Sequence, residues 1–101
     1  MPKMIFELIF TEKAGLQLDV LEQSKDKKIV LKAVNKALGF METNLKHPSL
    51  CTHEYDDLEG ANGEKVFESY AQNQTPGAYR IFWHYGPKKG QITVVAIVPH
   101  P

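Results

Sequence analysis

The chain has little cysteine and no excess of either charge, and both features limit its function. Cys51 is the only cysteine among 101 residues, which excludes an internal disulfide and a zinc site built from cysteines. Twelve basic side chains balance twelve acidic ones, whereas proteins that bind nucleic acids tightly and non-specifically usually carry a basic excess. The composition therefore fits a reducing compartment and counts against strong non-specific binding to RNA or DNA.

Long hydrophobic runs are also absent. No apolar stretch approaches the roughly twenty residues that a membrane helix needs, and the apolar segment near the start contains Glu7, unlike a secretory signal. Hydrophobic residues make up 43% of the chain and charged residues 24%, which is typical of a globular protein with a modest core. We therefore expect one cytoplasmic domain, residues 1–101, that has no membrane partner.

The spacing of apolar residues predicts an α+β fold. The predicted elements are a strand over 5–10, a helix from Glu12 with Thr11 as its cap, a second helix over 27–43, and strands over 65–72, 78–85 and 91–98. Segment 44–58 is predicted to be irregular, with a brief edge strand at 52–55. Short connections predict an antiparallel helical hairpin followed by an antiparallel β-meander that covers the apolar face of the hairpin.

Arg80 is the only arginine, and it lies within an aromatic run over 78–85. Strand alternation places Arg80, Phe82 and His84 on the face away from the hairpin, with Tyr79, Ile81 and Trp83 towards it. The planar guanidinium can bind a phosphate through two parallel hydrogen bonds. If the last strand pairs with this one, His100 approaches the same face and can transfer protons near neutral pH. A structural arginine on a solvated sheet face is the alternative.

Other charged groups have simpler explanations. His47, His53 and Glu54 lack the spacing of a metal site, and the acidic residues Glu54, Asp56, Asp57 and Glu59 match no calcium loop, so they are read as a solvated loop. Four lysines at steps of three and four form a basic stripe along the second helix, either a solvated face or a surface for phosphates: Lys25, Lys28, Lys32 and Lys36. We expect no metal and no cofactor.

Four short segments, in this order, resemble the RelE/ParE superfamily of small bacterial toxins over nearly the whole chain. They are His47-Pro48-Ser49-Leu50 with Thr52-His53, Val66-Phe67-Glu68, Tyr79-Arg80-Ile81-Phe82-Trp83, and Ile97-Val98-Pro99-His100. The resemblance implies the toxin of a type II toxin–antitoxin pair, covered by a cognate antitoxin. In the ribonuclease branch, the toxin cuts messenger RNA on the ribosome without a metal, by attack of a ribose 2′-hydroxyl on the adjacent phosphate.

The resemblance also assigns residues. It implies that Arg80 stabilises the phosphate and that His100 acts as general acid or base. We expect His53, Tyr70, His84, Lys32 and Lys36 to contact the substrate. Tyr70 stands where many members have a second arginine, and the chain is neutral where active members are usually basic. Two alternatives therefore stay open: a non-catalytic toxin that binds DNA gyrase, and a degenerate toxin fold that only binds an antitoxin-like partner.

Overall fold

The computed structural model describes residues 5–100, which form a five-stranded sheet with two helices against one face. The elements are β1 (Glu7–Phe10), α1 (Glu12–Gln23), α2 (Lys28–Thr43), β2 (His53–Glu59), β3 (Lys65–Tyr70), β4 (Tyr79–Tyr85) and β5 (Gln91–Pro99), with short 3₁₀ turns at Lys25–Lys27 and Pro48–Leu50. The strand order is β1-β5-β4-β3-β2, and only the β1–β5 pair is parallel. The predicted α+β fold, with a first strand, a helical hairpin and a C-terminal meander, is confirmed.

The helices pack their apolar stripe against the sheet. The Thr11 hydroxyl accepts a hydrogen bond from the Ala14 amide at 3.1 Å and begins α1 as predicted. The stripe of α2 is buried at Val34, Ala37, Leu38 and Met41, spaced three and four apart. It forms the main core together with Ile81 and Trp83 of β4. No helix among residues 5–100 is long and apolar enough to cross a membrane.

Segment 53–59 differs from the sequence prediction. It was expected to be irregular apart from a brief edge strand at 52–55, and instead forms the seven-residue strand β2, paired antiparallel with β3. Its acidic side chains, expected in a loop, lie exposed on this edge strand, where charges protect a sheet edge. Glu54 Oε1 accepts a hydrogen bond from Lys65 Nζ at 2.8 Å, which raises the pKa of Lys65 above its ordinary value. The polar composition of segment 53–59 does not predict a full strand, because pairing with β3, rather than local propensity, stabilises it.

The face of the sheet away from the helices carries a second, smaller core. The alternation along β4 is confirmed: Ile81 and Trp83 belong to the hairpin core, and Phe82 packs on the opposite face with Val66 and Ala96. Arg80 is only 7% exposed, so the alternative of an arginine on a solvated sheet face is wrong. Tyr55 of β2 covers Phe82, with ring centroids 4.7 Å apart, so the added strand brings its own apolar cover.

A β-bulge in β5 positions the end of that strand. Phe82 pairs with Ala96 and Trp83 with Val94, which leaves Val95 as the extra residue. The bulge changes the alternation, so that Val94 and Ile97 both face the hairpin core. Beyond it, Val98 pairs with Arg80.

Candidate active site around Glu68

A buried carboxylate lies at the centre of the face away from the helices. Glu68 of β3 is 2% exposed. Its Oε1 lies 2.6 Å from His53 Nε2, and its Oε2 lies 3.1 Å from His100 Nδ1 and 3.8 Å from Arg80 Nε. A buried charge is stable only when it is paired and hydrogen-bonded. Glu68 therefore brings together three cationic or titratable side chains from three different strand regions.

Sheet register explains why these residues meet. His53 pairs directly with Glu68 across β2 and β3, and Tyr70 pairs with Arg80 across β3 and β4. His100 follows β5, and its amide donates to the Ala78 carbonyl at 2.8 Å, which holds this end of the chain beside β4. Neighbouring strands lie about 5 Å apart, so side chains of one face converge on Glu68.

His53 is held at both ring nitrogens. Nε2 contacts Glu68, and Nδ1 lies 2.8 Å from the Cys51 carbonyl oxygen. Cys51 has a left-handed backbone, φ 46°, which ends the turn Pro48–Leu50 and aims this carbonyl at the ring. A carbonyl and a carboxylate both accept hydrogen bonds, so the two contacts are hydrogen bonds at the same time only when both ring nitrogens of His53 carry a proton.

His100 is held at one nitrogen only. With Nδ1 donating to Glu68, Nε2 has a free lone pair, and Nε2 makes no hydrogen bond within residues 5–100. The side chain is 50% exposed. A carboxylate that fixes one nitrogen of a histidine sets the tautomer of the ring and its orientation. His100 Nε2 is thus placed as a proton acceptor at the surface of the cluster.

Arg80 is fixed by an aromatic ring and by backbone oxygens. Its guanidinium carbon lies 3.6 Å from the centroid of the Tyr70 ring, within the range of a cation–π contact. Nη1 donates to the carbonyl oxygens of Gln72 and Tyr79. Nε is buried and has no hydrogen-bond partner within residues 5–100. Nη2, unbonded there and not fully buried, is the nitrogen that can reach a ligand.

The cluster combines cationic side chains with a proton acceptor. Arg80 supplies one positive charge against the negative charge of Glu68, and His53 supplies a second positive charge when it is protonated. An anion such as a phosphodiester is attracted to such a site, and an arginine held in place can stabilise the charge that develops on it. A neighbouring imidazole can take a proton from an attacking hydroxyl. The arrangement suits phosphoryl transfer by acid–base chemistry.

The other predicted substrate contacts are dispersed. His84 lies on the same face as Arg80 but is buried, and its Nδ1 contacts the Tyr85 carbonyl oxygen at 2.8 Å; four residues of strand separate it from Arg80, roughly 13 Å. Lys32 and Lys36 lie on α2, across the sheet from Glu68. Of the two, only Lys36 lines a pocket shared with Tyr70. The structure therefore brings Arg80, His100, His53 and Tyr70 together, and leaves His84 and Lys32 outside.

Two residues of the cluster were not expected to act in it. Glu68 was expected only as part of a segment that resembles RelE/ParE toxins. The signal for its role is a carboxylate that shares one sheet face with Arg80 on the adjacent strand. Gln72 contacts Arg80 through its backbone, which no side-chain pattern can indicate. Among residues 5–100, no group of three or more His, Cys, Asp or Glu side chains is arranged to hold a metal ion.

The fold is that of the RelE and ParE toxins. The YoeB/ParE toxin from Agrobacterium tumefaciens superposes with a TM-score of 0.67 at 8% identity, over 95% of this chain and all of that one. RelE in the archaeal RelE–RelB complex from Pyrococcus horikoshii OT3 gives 0.65 at 13% identity, over 95% and 96% of the two chains. The YoeB dimer from Staphylococcus aureus gives 0.61 at 12% identity, over 96% and 99%. No protein-family model and no curated protein matches the sequence, so the shared feature is the fold.

Proposed function

We propose that the protein is the toxin of a type II toxin–antitoxin pair and that it cuts messenger RNA without a metal. The observation that carries the ribonuclease activity is the convergence of Arg80, His53 and His100 on buried Glu68. The toxin role is supported by the RelE/ParE fold over nearly the whole chain. Both proposals place the protein in the cytoplasm of a bacterium.

In the proposed reaction, a ribose 2′-hydroxyl attacks the adjacent phosphorus. His100 Nε2 takes the hydroxyl proton as the new P–O2′ bond forms. Arg80 Nη2 stabilises the charge on the phosphate oxygens, and His53, when protonated, adds positive charge to the local field. The P–O5′ bond breaks, the leaving 5′ oxygen takes a proton from water, and a 2′,3′-cyclic phosphate remains. Glu68 holds the tautomer of His100 and does not touch the substrate.

The ribosome is the proposed source of the RNA. The chain carries no net charge, and nonspecific affinity for RNA depends on cationic side chains that neutralise phosphates. A substrate already positioned by the ribosome would remove the need for strong RNA binding by the protein itself. The neutral composition, unusual for a free nuclease, is thus compatible with cleavage of ribosome-bound messenger.

An antitoxin is the proposed protein partner. Leu16 and Val20, one turn apart on α1, are 58% and 63% exposed, and Ile29 at the start of α2 is 82% exposed. Neighbouring apolar side chains on a helix surface mark a surface for a protein contact. RelE of Pyrococcus horikoshii was solved together with RelB, and an equivalent partner would bury such side chains here.

A non-catalytic role is the second candidate. Arg80 is buried and lies close to Glu68, an arrangement that also suits a purely structural ion pair. In that case the protein would bind an antitoxin-like partner or DNA gyrase and cut nothing. The two candidates differ in one respect: only the ribonuclease needs Arg80 and His100 for activity.

The test is growth arrest on induced expression, followed by cleavage of ribosome-bound messenger in a purified system. Arg80→Lys keeps the charge but loses the planar fork, and we expect about a hundredfold loss of rate, on the order of 3 kcal/mol. His100→Ala should cost roughly a hundredfold or more. Lys88→Ala, in the exposed turn between β4 and β5, is the control and should cut normally.

Because Arg80 is buried, circular dichroism and thermal unfolding must first show that each variant is folded. If folded Arg80→Lys and His100→Ala arrest growth as well as the wild type, the ribonuclease activity is excluded. A DNA-damage response in the same cells would then support gyrase as the target.

A further inference from the structure

We infer that the pocket between α2, the turn Pro48–Leu50 and the end of β3 binds a nucleobase of the RNA whose phosphate lies at Arg80; this rests on the proposed function for the identity of the ligand. The pocket has a volume of about 480 Å³. That is within the range of about 300–1,000 Å³ that is usual for small-molecule sites. A single nucleotide is a ligand of suitable size.

The walls of the pocket suit a flat aromatic ligand. Phe40 and Tyr70 both line it. The ring of His47, which does not line the pocket, is stacked on the Phe40 ring, with centroids 3.8 Å apart and an interplanar angle of 12°, a contact that helps to hold Phe40 in place. Proteins bind unpaired bases by stacking them on such rings, and each stack contributes about 1–3 kcal/mol.

The charge of the pocket suits a nucleotide. Its lining contains Lys36 and no aspartate or glutamate. Within residues 5–100, no carboxylate oxygen lies within 4.0 Å of Lys36 Nζ, and this ammonium group lies 5.9 Å from the centroid of the Phe40 ring. In a chain of zero net charge, a cationic and acid-free pocket favours an anionic ligand over a neutral one.

Polar groups at the end of β3 can contact the edge of a base. Gln72 and Asn73 line the pocket. The Gln72 Oε1 atom accepts a hydrogen bond from the Tyr79 amide at 3.1 Å, which fixes the side chain and leaves its NH₂ group as a donor. Asn73 is exposed and offers both a donor and an acceptor. Such groups read the hydrogen-bonding edge of an unstacked base.

The pocket is joined to the candidate active site through two residues. The Tyr70 ring stacks on the Arg80 guanidinium, and Tyr70 also lines the pocket. Gln72 likewise lines the pocket, while its carbonyl oxygen accepts a hydrogen bond from Arg80 Nη1. A base in the pocket and a phosphate at Arg80 would therefore contact the same two residues from opposite sides, as adjoining parts of one RNA strand would.

Cys51 provides a direct readout of occupancy. It is the only cysteine of the chain, is exposed, and lines both this pocket and a neighbouring one of about 610 Å³. We expect 5′-AMP, GMP, CMP or UMP to slow alkylation of Cys51 by iodoacetamide at least about fivefold at saturation, because the ligand covers the thiol. Inorganic phosphate, which has no base, should give no protection.

A matched pair of lysine variants identifies the pocket. Lys36 lines only the proposed pocket and Lys46 only the neighbouring one. Lys36→Ala should lower the affinity for the protecting nucleotide about tenfold, since a hydrogen bond to a charged group is worth about 1.5–3 kcal/mol. Lys46→Ala should leave the affinity within about twofold. Backbone amide shifts of Ser49, Gln72 and Asn73 in NMR titrations give a second measurement on the same variants.

The outcomes separate this inference from the proposed function. Three results would each overturn the nucleobase site. The first is protection of Cys51 by inorganic phosphate alone, and the second is protection by a nucleotide that is lost in Lys46→Ala and kept in Lys36→Ala. The third is the absence of both protection and amide shifts with every nucleotide. If the wild type binds nucleotides but never cuts RNA, and Arg80→Lys still binds them, the proposal of the nucleobase site stands and the proposal of ribonuclease activity is rejected. RNA cleavage without nucleotide binding would retain the ribonuclease and reject the pocket.

Discussion

Glu68 controls the direction in which His100 presents its lone pair. When Oε2 accepts a hydrogen bond from Nδ1, the lone pair of the ring is on Nε2, the atom proposed above as the base. Glutamine has the same shape but presents either an amide oxygen or an NH₂ group at each position. An NH₂ group facing Nδ1 would move the ring proton to Nε2 and convert the base into a donor.

We therefore expect Glu68→Gln to reduce RNA cleavage about a hundredfold while the protein stays folded. The measurement is single-turnover cleavage of ribosome-bound messenger, with circular dichroism on the same sample. Glu54→Gln, an exposed carboxylate on the neighbouring β2 strand, is the control and should cut at the normal rate. Unchanged cleavage by Glu68→Gln would show that Glu68 is needed only to neutralise its neighbours.

Tyr70 supports the Arg80 guanidinium through its ring. Tyr70→Phe keeps the ring and should leave cleavage within about threefold, whereas Tyr70→Ala removes a contact worth about 1–2 kcal/mol and should slow cleavage about tenfold or more. The assay is again single-turnover cleavage. Tyr70→Arg introduces the second arginine of many RelE/ParE proteins, but it sets a like charge against Arg80 and should not improve on the wild type. If Tyr70→Phe were as slow as Tyr70→Ala, the hydroxyl rather than the ring would be the important group.

Residues of unusual identity could be predicted from the sequence, whereas residues defined by their spatial partners could not. Arg80 stood out because it is the only arginine, and alternation placed it on the correct face. Its burial could not be predicted, because Tyr70, whose ring lies against the guanidinium, becomes its neighbour only through sheet pairing. His84 shares the face of Arg80, yet lies too far along the strand to join Glu68.

Among the elements, β2 depends on β3 more than on its own residues. A chain of hydrogen bonds attaches its start: Trp83 Nε1 donates to Ser69 Oγ at 2.8 Å, and Ser69 Oγ contacts Thr52 Oγ1 at 2.7 Å. Thr52 directly precedes His53, so this chain links the hairpin core to a member of the Glu68 cluster. The sequence of β2 alone, mostly charged, favours a loop, which explains why the full strand was not predicted.

We expect Ser69→Ala to lower the free energy of unfolding by about 1–3 kcal/mol, because the buried Trp83 N–H loses its acceptor. Urea denaturation followed by tryptophan fluorescence measures the change. Thr52→Val, which removes only the outer contact of the same chain, should cost less than about 1 kcal/mol. Equal losses for both variants would mean that Trp83 finds another acceptor and that the contact between the strands is what matters.

The bulge in β5 is a further element-level feature that the sequence did not indicate. The run 91–98 is apolar at most positions, so either face could be the inner one and no alternation exposes an extra residue. The strand was predicted, but the change of face at Val95 was not. Sheet register decides it, through the pairing of Phe82 with Ala96 and of Trp83 with Val94.

For the whole molecule, folding is expected to require no metal. The single cysteine is exposed, and only two of the histidines, His53 and His100, meet at one site, so these residues cannot provide a preorganised four-ligand cage. Thermal unfolding curves with and without a chelator should coincide. A fall of several degrees on addition of the chelator would contradict this expectation and point to His47, His53 and Glu54 as the residues to substitute first.

The parallel pairing of β1 with β5 has a consequence for synthesis. Glu7 pairs with Gln91 and Phe10 with Val94, so β1 cannot pair until β5 has been synthesised. Contacts so distant along a chain slow folding. A nascent chain exposes β1 without a partner until β5 has left the exit tunnel, and His100 follows β5. On the proposed function, the site around Glu68 can act only after β5 has paired and His100 has reached Glu68, and the interval before that is open for an antitoxin to bind the chain.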